Sequence, residues 1–309
     1  MNFFKKWLIS IRAPFLTASL VPVVFGCALA WQMTGKLDFV LGLVTLLGVA
    51  CAQIGTNLSN DYFDHKTTDD DINETPTPFS GGSRMIQDGL QSPREVLTGG
   101  LIFFGLGAVC GLYLWLVTRG IYDKPFTIPI IAVIGFLSGF LYTATPIKIG
   151  YRGWGELFIG LNFGTLAVLG SYYVQTGRLG WMPVVASIPI AFLIAAVVYI
   201  NQYPDYEADR AVSKRHWVVI LGKKNAIYGY LFMVFGSYIA TIIAVIVNYM
   251  PVYGLVVLLT LPLAVQATKT LLAHYEKIEE LLPANAATIK IHLSYGILMA
   301  LGVVVDRLI

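Results

Sequence analysis

Residues 39–71 decide the fold: FVLGLVTLLGVACAQIGTNLSNDYFDHKTTDDD. The first two-thirds of this stretch is apolar over about 20 residues, enough to cross about 30 Å of hydrocarbon as a helix. The remainder gathers carboxylates at one end of that run. Eight more apolar runs of similar length follow or precede it, giving expected spans at 14–32, 39–58, 96–118, 126–145, 154–175, 183–203, 227–248, 252–272 and 286–305. Only helices and closed barrels satisfy their backbone groups in lipid, and barrel strands would show short alternating segments instead of continuous runs. The expectation is an all-α polytopic membrane protein with nine transmembrane helices in a single domain, residues 1–309.

Composition agrees. Hydrophobic residues make up 56% of the 309-residue chain and charged residues 13%, against roughly 45–50% and about 25% in soluble domains. A soluble two-domain enzyme lacks the charge to cover its surface. A net charge of +3 is too small and dispersed for nucleic-acid binding. Cys27, Cys51 and Cys110 each sit in apolar runs, which reads as packing rather than disulfides or metal ligation. Residues 1–12 read as an interfacial segment with Phe3, Phe4 and Trp7 in lipid. Small pairs at four-residue spacing, Gly107/Gly111, Gly135/Gly139 and Gly160/Gly164, suit close helix packing.

With the N-terminus cytoplasmic, 16 of the 21 Lys and Arg fall on the cytoplasmic side, as the positive-inside rule requires. This also places the C-terminus outside. The same side collects 15 of the 18 Asp and Glu, which that rule does not explain. One face carries nearly all the ionisable chemistry, in what reads as a bacterial or archaeal cell membrane.

Two acidic motifs stand at span ends. In the first, Asn57, Asp61 and Asp64 fall at about 0°, 40° and −20° around a helix; in the second, Asn201, Asp205 and Asp209 fall at about 0°, 40° and 80°. Both share an Asn-x-x-x-Asp core, 144 residues apart with four spans between. That spacing reads as an internal duplication over roughly 14–145 and 154–272, with the ninth helix, 286–305, appended. Pro204 is expected to kink or end the sixth helix just before Asp205.

Facing carboxylate walls repel unless a cation lies between them. Mg2+ takes one or two carboxylates, waters and substrate phosphates, so the pattern points to a Mg2+-bridged diphosphate. Arg84, Lys214 and Arg215 offer phosphate contacts. Asp69 and Asp71 read equally as ligands or as a wet loop, and His65 and His216 read as loop or interface residues. A cation-coupled transporter would place its acids near mid-span, whereas these lie at span ends on one side.

These residues resemble the UbiA superfamily of intramembrane prenyltransferases. Asn60-Asp61-Tyr-Phe-Asp64, with Asp70 six residues on, is similar to the first motif of its 1,4-dihydroxy-2-naphthoate polyprenyltransferase subgroup, which serves menaquinone synthesis. Thr68 stands where the wider superfamily often has its third Asp. Asp205-x3-Asp209, with Asn201 before and Lys214 after, resembles the second motif, and Gly82 to Gly89 resembles the family's basic loop. Arg12-Ala-Pro-Phe-Leu, Tyr142-Thr-Ala-Thr-Pro146, Tyr151 to Glu156 and Val218 to Gly222 extend the likeness along the chain.

The resemblance implies two four-helix units plus one helix around a central cavity. It implies transfer of a polyprenyl group from its diphosphate to an aromatic acceptor such as 1,4-dihydroxy-2-naphthoate. Alternative acceptors in the superfamily are 4-hydroxybenzoate, homogentisate, haem and a glycerophosphate lipid. Mg2+ would be held by Asp61, Asp64, Asp70, Asp205 and Asp209. Asn57, Asn60 and Asn201 would orient ligands or diphosphate oxygens, beside Arg84 and Lys214. Tyr62, Tyr142 and Tyr203 are the aromatic groups nearest the motifs for stabilising an allylic cation. The partners implied are the prenyl diphosphate, the acceptor and the bilayer, with no protein partner.

Overall fold

The computed structural model describes residues 1–309, and its regular secondary structure is all helical, with one isolated bridge between Thr77 and Ser80 in the loop after the second long helix. The elements are α1 (Phe3–Ser10), α2 (Ala13–Thr34), α3 (Phe39–Lys66), α4 (Pro93–Thr118), α5 (Thr127–Phe140) and α6 (Gly155–Thr176). They continue as α7 (Trp181–Asn201), the short α8 (Tyr206–Ala211) and α9 (Trp217–Leu221), then α10 (Lys223–Ile246), α11 (Val252–His274) and α12 (Ile278–Leu308).

Eight of these are long and apolar enough to cross a membrane. The expected span 126–145 is the exception, because α5 has only 14 residues, about 21 Å at 1.5 Å per residue. Its expected last turn is instead a chain reversal at Leu141–Pro146, where the residue before a proline disfavours helix. Nine apolar helices are thus present, eight of them long enough to cross a membrane by length and composition and the ninth, α5, shorter than expected. Two others run longer than expected. Helix α3 continues to Lys66, and α12 starts at Ile278 with Pro283 in its second turn.

Local chemistry sets the ends. Asp38 accepts from the Leu41 amide at the start of α3. Ser92 and Glu95 form a reciprocal capping box at the start of α4, satisfying two otherwise orphaned groups. Within the bundle α3 packs chiefly on α4, α2 on α6 and α12, α7 on α6 and α10, and α12 on α11. A π-helical turn at Gly160–Leu166 lets α6 lie against α7. A Cβ on Gly160 would sit 3.0 Å from the Ala191 carbonyl oxygen, so the small pair Gly160/Gly164 does mark a close helix approach.

The second half is the denser one. Tyr230 hydroxyl lies 2.6 Å from Thr288 Oγ1, Tyr238 hydroxyl 2.7 Å from Thr260 Oγ1, and Tyr295 hydroxyl 2.6 Å from Thr241 Oγ1. These bonds tie α10, α11 and α12 together where lipid offers no hydrogen-bond partner. The first half instead holds an open, mostly apolar pocket of about 970 Å³ between α3, α4, α5 and α6. Helix α1 leaves Phe3 and Phe4 exposed, as an interfacial segment should. Trp7 departs from the expectation: it turns inward against Gly99 and the Ile54–Leu58 cluster.

Candidate active site

Helix α3 carries Asn57, Asn60, Asp61 and Asp64 along its last turns. Thr68 then adopts a left-handed conformation, φ 63°, and the chain folds back to bring Asp69 and Asp70 beside them. On the other side α7 stops at Asn201, residues 202–205 form a turn, and Asp205 stands just before α8, which carries Asp209. The continuous-helix geometry expected for Asn201, Asp205 and Asp209 is thus corrected. Pro204 interrupts it, yet all three still line one cavity.

That cavity, about 1320 Å³, holds Asn57, Asn60, Asp64, Asp69, Asp70, Asn201, Asp205, Asp209 and Lys214 at its polar end. Its deeper walls are apolar, including Ile159, Phe163 and Ile194. Tyr142 lines both this cavity and the apolar one, at their junction.

Two cations organise the carboxylates. Lys214 Nζ lies 2.7 Å from Asp69 Oδ2, 3.1 Å from Asp209 Oδ1 and 3.3 Å from Asp64 Oδ2. Arg12 pairs with Asp61 and also donates to Asn60 Oδ1 at 3.1 Å. Neutral groups hold the rest. Tyr151 hydroxyl donates to Asp64 Oδ1 at 2.8 Å, and Asn60 Nδ2 to Asp64 Oδ2 at 2.7 Å. Asn73 Nδ2 donates to Asp205 Oδ1 at 2.8 Å, and the Gly81 amide to Asp205 Oδ2 at 3.1 Å.

His216 is buried, and its Nδ1 accepts from the Val219 amide as the cap of α9. That leaves Nε2 to bear the proton it gives to Asp209 Oδ2 at 2.7 Å. Asn57 spends its amide N–H on the Ile11 carbonyl, and Asn201 spends its oxygen on Asn285.

The electrostatics show a shortage of positive charge. Burial, reinforced by Asp209 and Asp64, pushes the Asp69 carboxyl up to about 8 against the pull of Lys214. Burial, with Asp64 and Asp61 close by, holds Asp70 well above the ordinary carboxyl range. Asp205 rises to about 6 through burial and the charge of Asp209. Burial would also raise Asp209, but Lys214 and His216 more than offset it, and its pKa is lowered. Lys214 stays firmly charged among its carboxylates despite burial. Asp69 Oδ1 and Asp70 Oδ2 are buried without a hydrogen-bond partner. No three His, Cys, Asp or Glu side chains stand together as a ready-made metal cage.

Several expected site residues lie elsewhere. Asp61 turns to Arg12 and the Ser83 amide, 3.3 Å away, instead of lining the cavity. Arg84, at φ 64°, gives its guanidinium to the Asp70 main-chain carbonyl. It clamps the loop and leaves the cavity wall to others. Arg215 contributes only its amide, to the Tyr151 carbonyl at 3.1 Å. Tyr62 packs edge-on to Phe63 with Lys66 over its ring, and Tyr203 is buried with its hydroxyl on the Lys223 carbonyl. Neither tyrosine reaches the cavity. Conversely, Arg12, Asn73, Tyr151 and His216 hold site carboxylates without having been picked out for it. The signals were faint: a basic residue ahead of Pro14, and an Asn two residues beyond the acidic run.

Residues 19–289 match the UbiA prenyltransferase family. The chain is 30% identical over 291 residues to a 1,4-dihydroxy-2-naphthoate octaprenyltransferase from Bacillus subtilis, covering 94% of this chain and 89% of that protein. It is 26% identical to a 2-carboxy-1,4-naphthoquinone phytyltransferase from Synechocystis, over 96% of this chain and 92% of that one. Among solved structures, a UbiA homologue from Aeropyrum pernix K1 shares the fold at TM-score 0.68 and 17% identity, covering 94% of this chain and 97% of that one. Another, from Archaeoglobus fulgidus with GPP and Mg2+ bound, matches at TM-score 0.59 and 16% identity, covering 95% and 99%. This chain belongs to the UbiA prenyltransferase family and is an integral membrane prenyltransferase.

Proposed function

We propose that this protein transfers a polyprenyl group from a polyprenyl diphosphate to 1,4-dihydroxy-2-naphthoate, in menaquinone synthesis, with Mg2+ as cofactor. The observation that carries the reading is the meeting of both acidic motifs on Lys214, at the mouth of a cavity whose walls turn apolar below. A long hydrocarbon with a charged head needs that combination. The naphthoate-prenylating relatives support the choice of acceptor.

The donor set fits a divalent cation. Six carboxylates gather here with only two paired cations: Arg12 on Asp61, and Lys214 on Asp64, Asp69 and Asp209, while Asp70 and Asp205 have none. Two of their oxygens are buried and unpartnered, and hard oxygen donors suit Mg2+. Asp64, Asp70, Asp205 and Asp209 line the cavity and would hold it, joined by Asp61 once its pairing with Arg12 gives way, while Lys214 keeps the cluster from flying apart. When bound, Mg2+ neutralises the diphosphate and the charge that grows on it as it leaves.

The chain's own residues do the rest. Asn201 keeps its amide N–H and Asn57 its oxygen uncommitted towards the diphosphate and its waters. Phe15, Ile159, Phe163 and Ile194 exclude water from the allylic cation, and Tyr142, which lines both cavities, is the aromatic group placed to stabilise it. The acidic end lies on the cytoplasmic side of the cell membrane, where the basic residues concentrate.

The test incubates purified protein with Mg2+, a polyprenyl diphosphate and a panel of acceptors, with products identified by mass spectrometry. Prenylated dihydroxynaphthoate is expected, with turnover abolished in Asp61→Asn and Asp205→Asn. Product formed only with 4-hydroxybenzoate, homogentisate or another acceptor overturns the choice of acceptor. Full activity in both variants overturns the site.

A further inference from the structure

Helix α12 sends one ionisable side chain into the apolar depth of the polar cavity. His292 is 2% exposed and lines that cavity, and its Nε2 is buried with no hydrogen-bond partner. An unsatisfied buried polar atom is costly to keep, and ionisable residues inside membrane spans mark function by default. Nothing in the acidic cluster uses this group.

Its depth limits what it can serve. Asn285, seven residues earlier on α12, bonds Asn201 beside the acidic rim at 2.8 Å. Seven residues return to the same helix face about 10 Å along the axis. His292 therefore sits about two turns below the level of the diphosphate. Ile159, Phe163, Ile194, Val197 and Ile289 make the walls there. A prenyl tail has no polar atom to offer an imidazole, and a diphosphate belongs at the charged rim. The remaining substrate is flat, apolar on both faces and polar at its edge.

We propose that His292 is an acceptor-binding residue: its ring nitrogen bonds a hydroxyl of the aromatic acceptor, whose ring lies between the apolar walls with its reacting edge towards the acidic rim. This rests on the prenyl-transfer reading above. The hydroxyl satisfies the orphaned nitrogen, and a hydrogen bond drawn from the hydroxyl pushes electron density into the ring that attacks the prenyl carbon. A site built around a substrate hydroxyl rejects analogues that lack it far more strongly than an apolar pocket does.

The experiment compares wild type, His292→Leu and His292→Gln with 1,4-dihydroxy-2-naphthoate and each of its two monohydroxy analogues. Reading kcat/KM as a variant-to-wild-type ratio on each substrate cancels the substrates' intrinsic reactivities. His292→Leu is expected to lose about 30-fold or more on the dihydroxy acceptor, yet only a few-fold on the analogue missing the bonded hydroxyl. His292→Gln, which keeps a hydrogen-bonding end, recovers part of the loss, and all three proteins bind the prenyl diphosphate alike. Equal losses on all three acceptors would leave His292 a packing residue and overturn the proposal, with the prenyl-transfer reading intact. Wild-type protein that prenylates no hydroxylated aromatic acceptor overturns both.

Discussion

Lys214 Nζ stands 2.7 Å from Asp69 Oδ2 and 3.1 Å from Asp209 Oδ1, so a single ammonium joins two carboxylates, one from each acidic stretch, that lie far apart along the chain. Its side chain is 16% exposed, and removing one partner from such a site leaves buried charge uncompensated, at about 3–5 kcal/mol. Lys214→Met is expected to lower the thermal stability of the metal-free protein and reduce turnover more than 100-fold. The same change tightens Mg2+ binding, because the carboxylates lose their competing cation. Unfolding followed during a Mg2+ titration checks both. Weaker Mg2+ binding would show that Lys214 positions the metal ligands more than it competes with the metal.

Gly82 makes a second, sharper test of the loop that closes the site. It sits at φ +73°, and a Cβ there would lie 2.9 Å from Asp70 Cγ. Gly82→Ala adds left-handed strain of about 1 kcal/mol and drives Asp70 out of place. Turnover is expected to fall at least 10-fold with a raised Mg2+ requirement. Gly89→Ala, also at positive φ but with open space around it, is expected to cost stability alone. Equal activity losses in the two variants would remove Asp70 from the argument.

The contrast between these motifs explains what was legible beforehand. Asn57, Asp61 and Asp64 belong to one unbroken helix, so periodicity alone put them on a shared face. Asn201, Asp205 and Asp209 do not, because Pro204 breaks the helix. Their convergence is tertiary, and periodicity reached it for the wrong local reason. Arg12 and Asn73 carry only faint signals as site residues because their partners lie 49 and 132 residues away. Loop closure of that range leaves no trace in spacing. Tyr62 and Tyr203 failed the other way. Nearness in sequence to Asp61 and Asp205 says nothing about which side of a helix or turn a ring takes.

The carboxyls predict a pH dependence with a definite sign. Asp69 and Asp205 sit at about 8 and about 6 in the folded protein, above their ordinary 3.8. Between those limits the folded state holds protons that the unfolded state has released, so stability falls as pH rises. Their contribution is complete below the ordinary value and gone above the folded one. Asp209, lowered by Lys214 and His216, acts only below the ordinary carboxyl range and does not disturb this window. Chelated protein in detergent is expected to melt at progressively lower temperature from about pH 4 to about pH 8. The stabilisation gained from added Mg2+ grows over the same range as the carboxylates ionise. A melting temperature that rises with pH in the chelated protein would mean the cluster already carries compensating charge.

The tyrosines separate neighbours of the site from members of it. Tyr151 donates to Asp64 at 2.8 Å, lies 2.7 Å from Thr67 Oγ1 and has Lys214 Nζ 5.3 Å from its ring centre. A hydrogen bond to a charged group contributes about 1.5–3 kcal/mol, and each 1.4 kcal/mol lost in the transition state is about tenfold in rate. Tyr151→Phe is therefore expected to slow turnover about 10- to 100-fold. Tyr203→Phe loses only the bond to the Lys223 carbonyl, about 1 kcal/mol of stability, with turnover close to wild type. Tyr62→Phe, whose ring packs on Phe63 outside the cavity, changes neither. Steady-state rates at saturating prenyl diphosphate, corrected for the folded fraction, give the order. Slow turnover in Tyr62→Phe or Tyr203→Phe alongside an unaffected Tyr151→Phe would mean that the carboxylate cage is held by contacts other than those around Asp64.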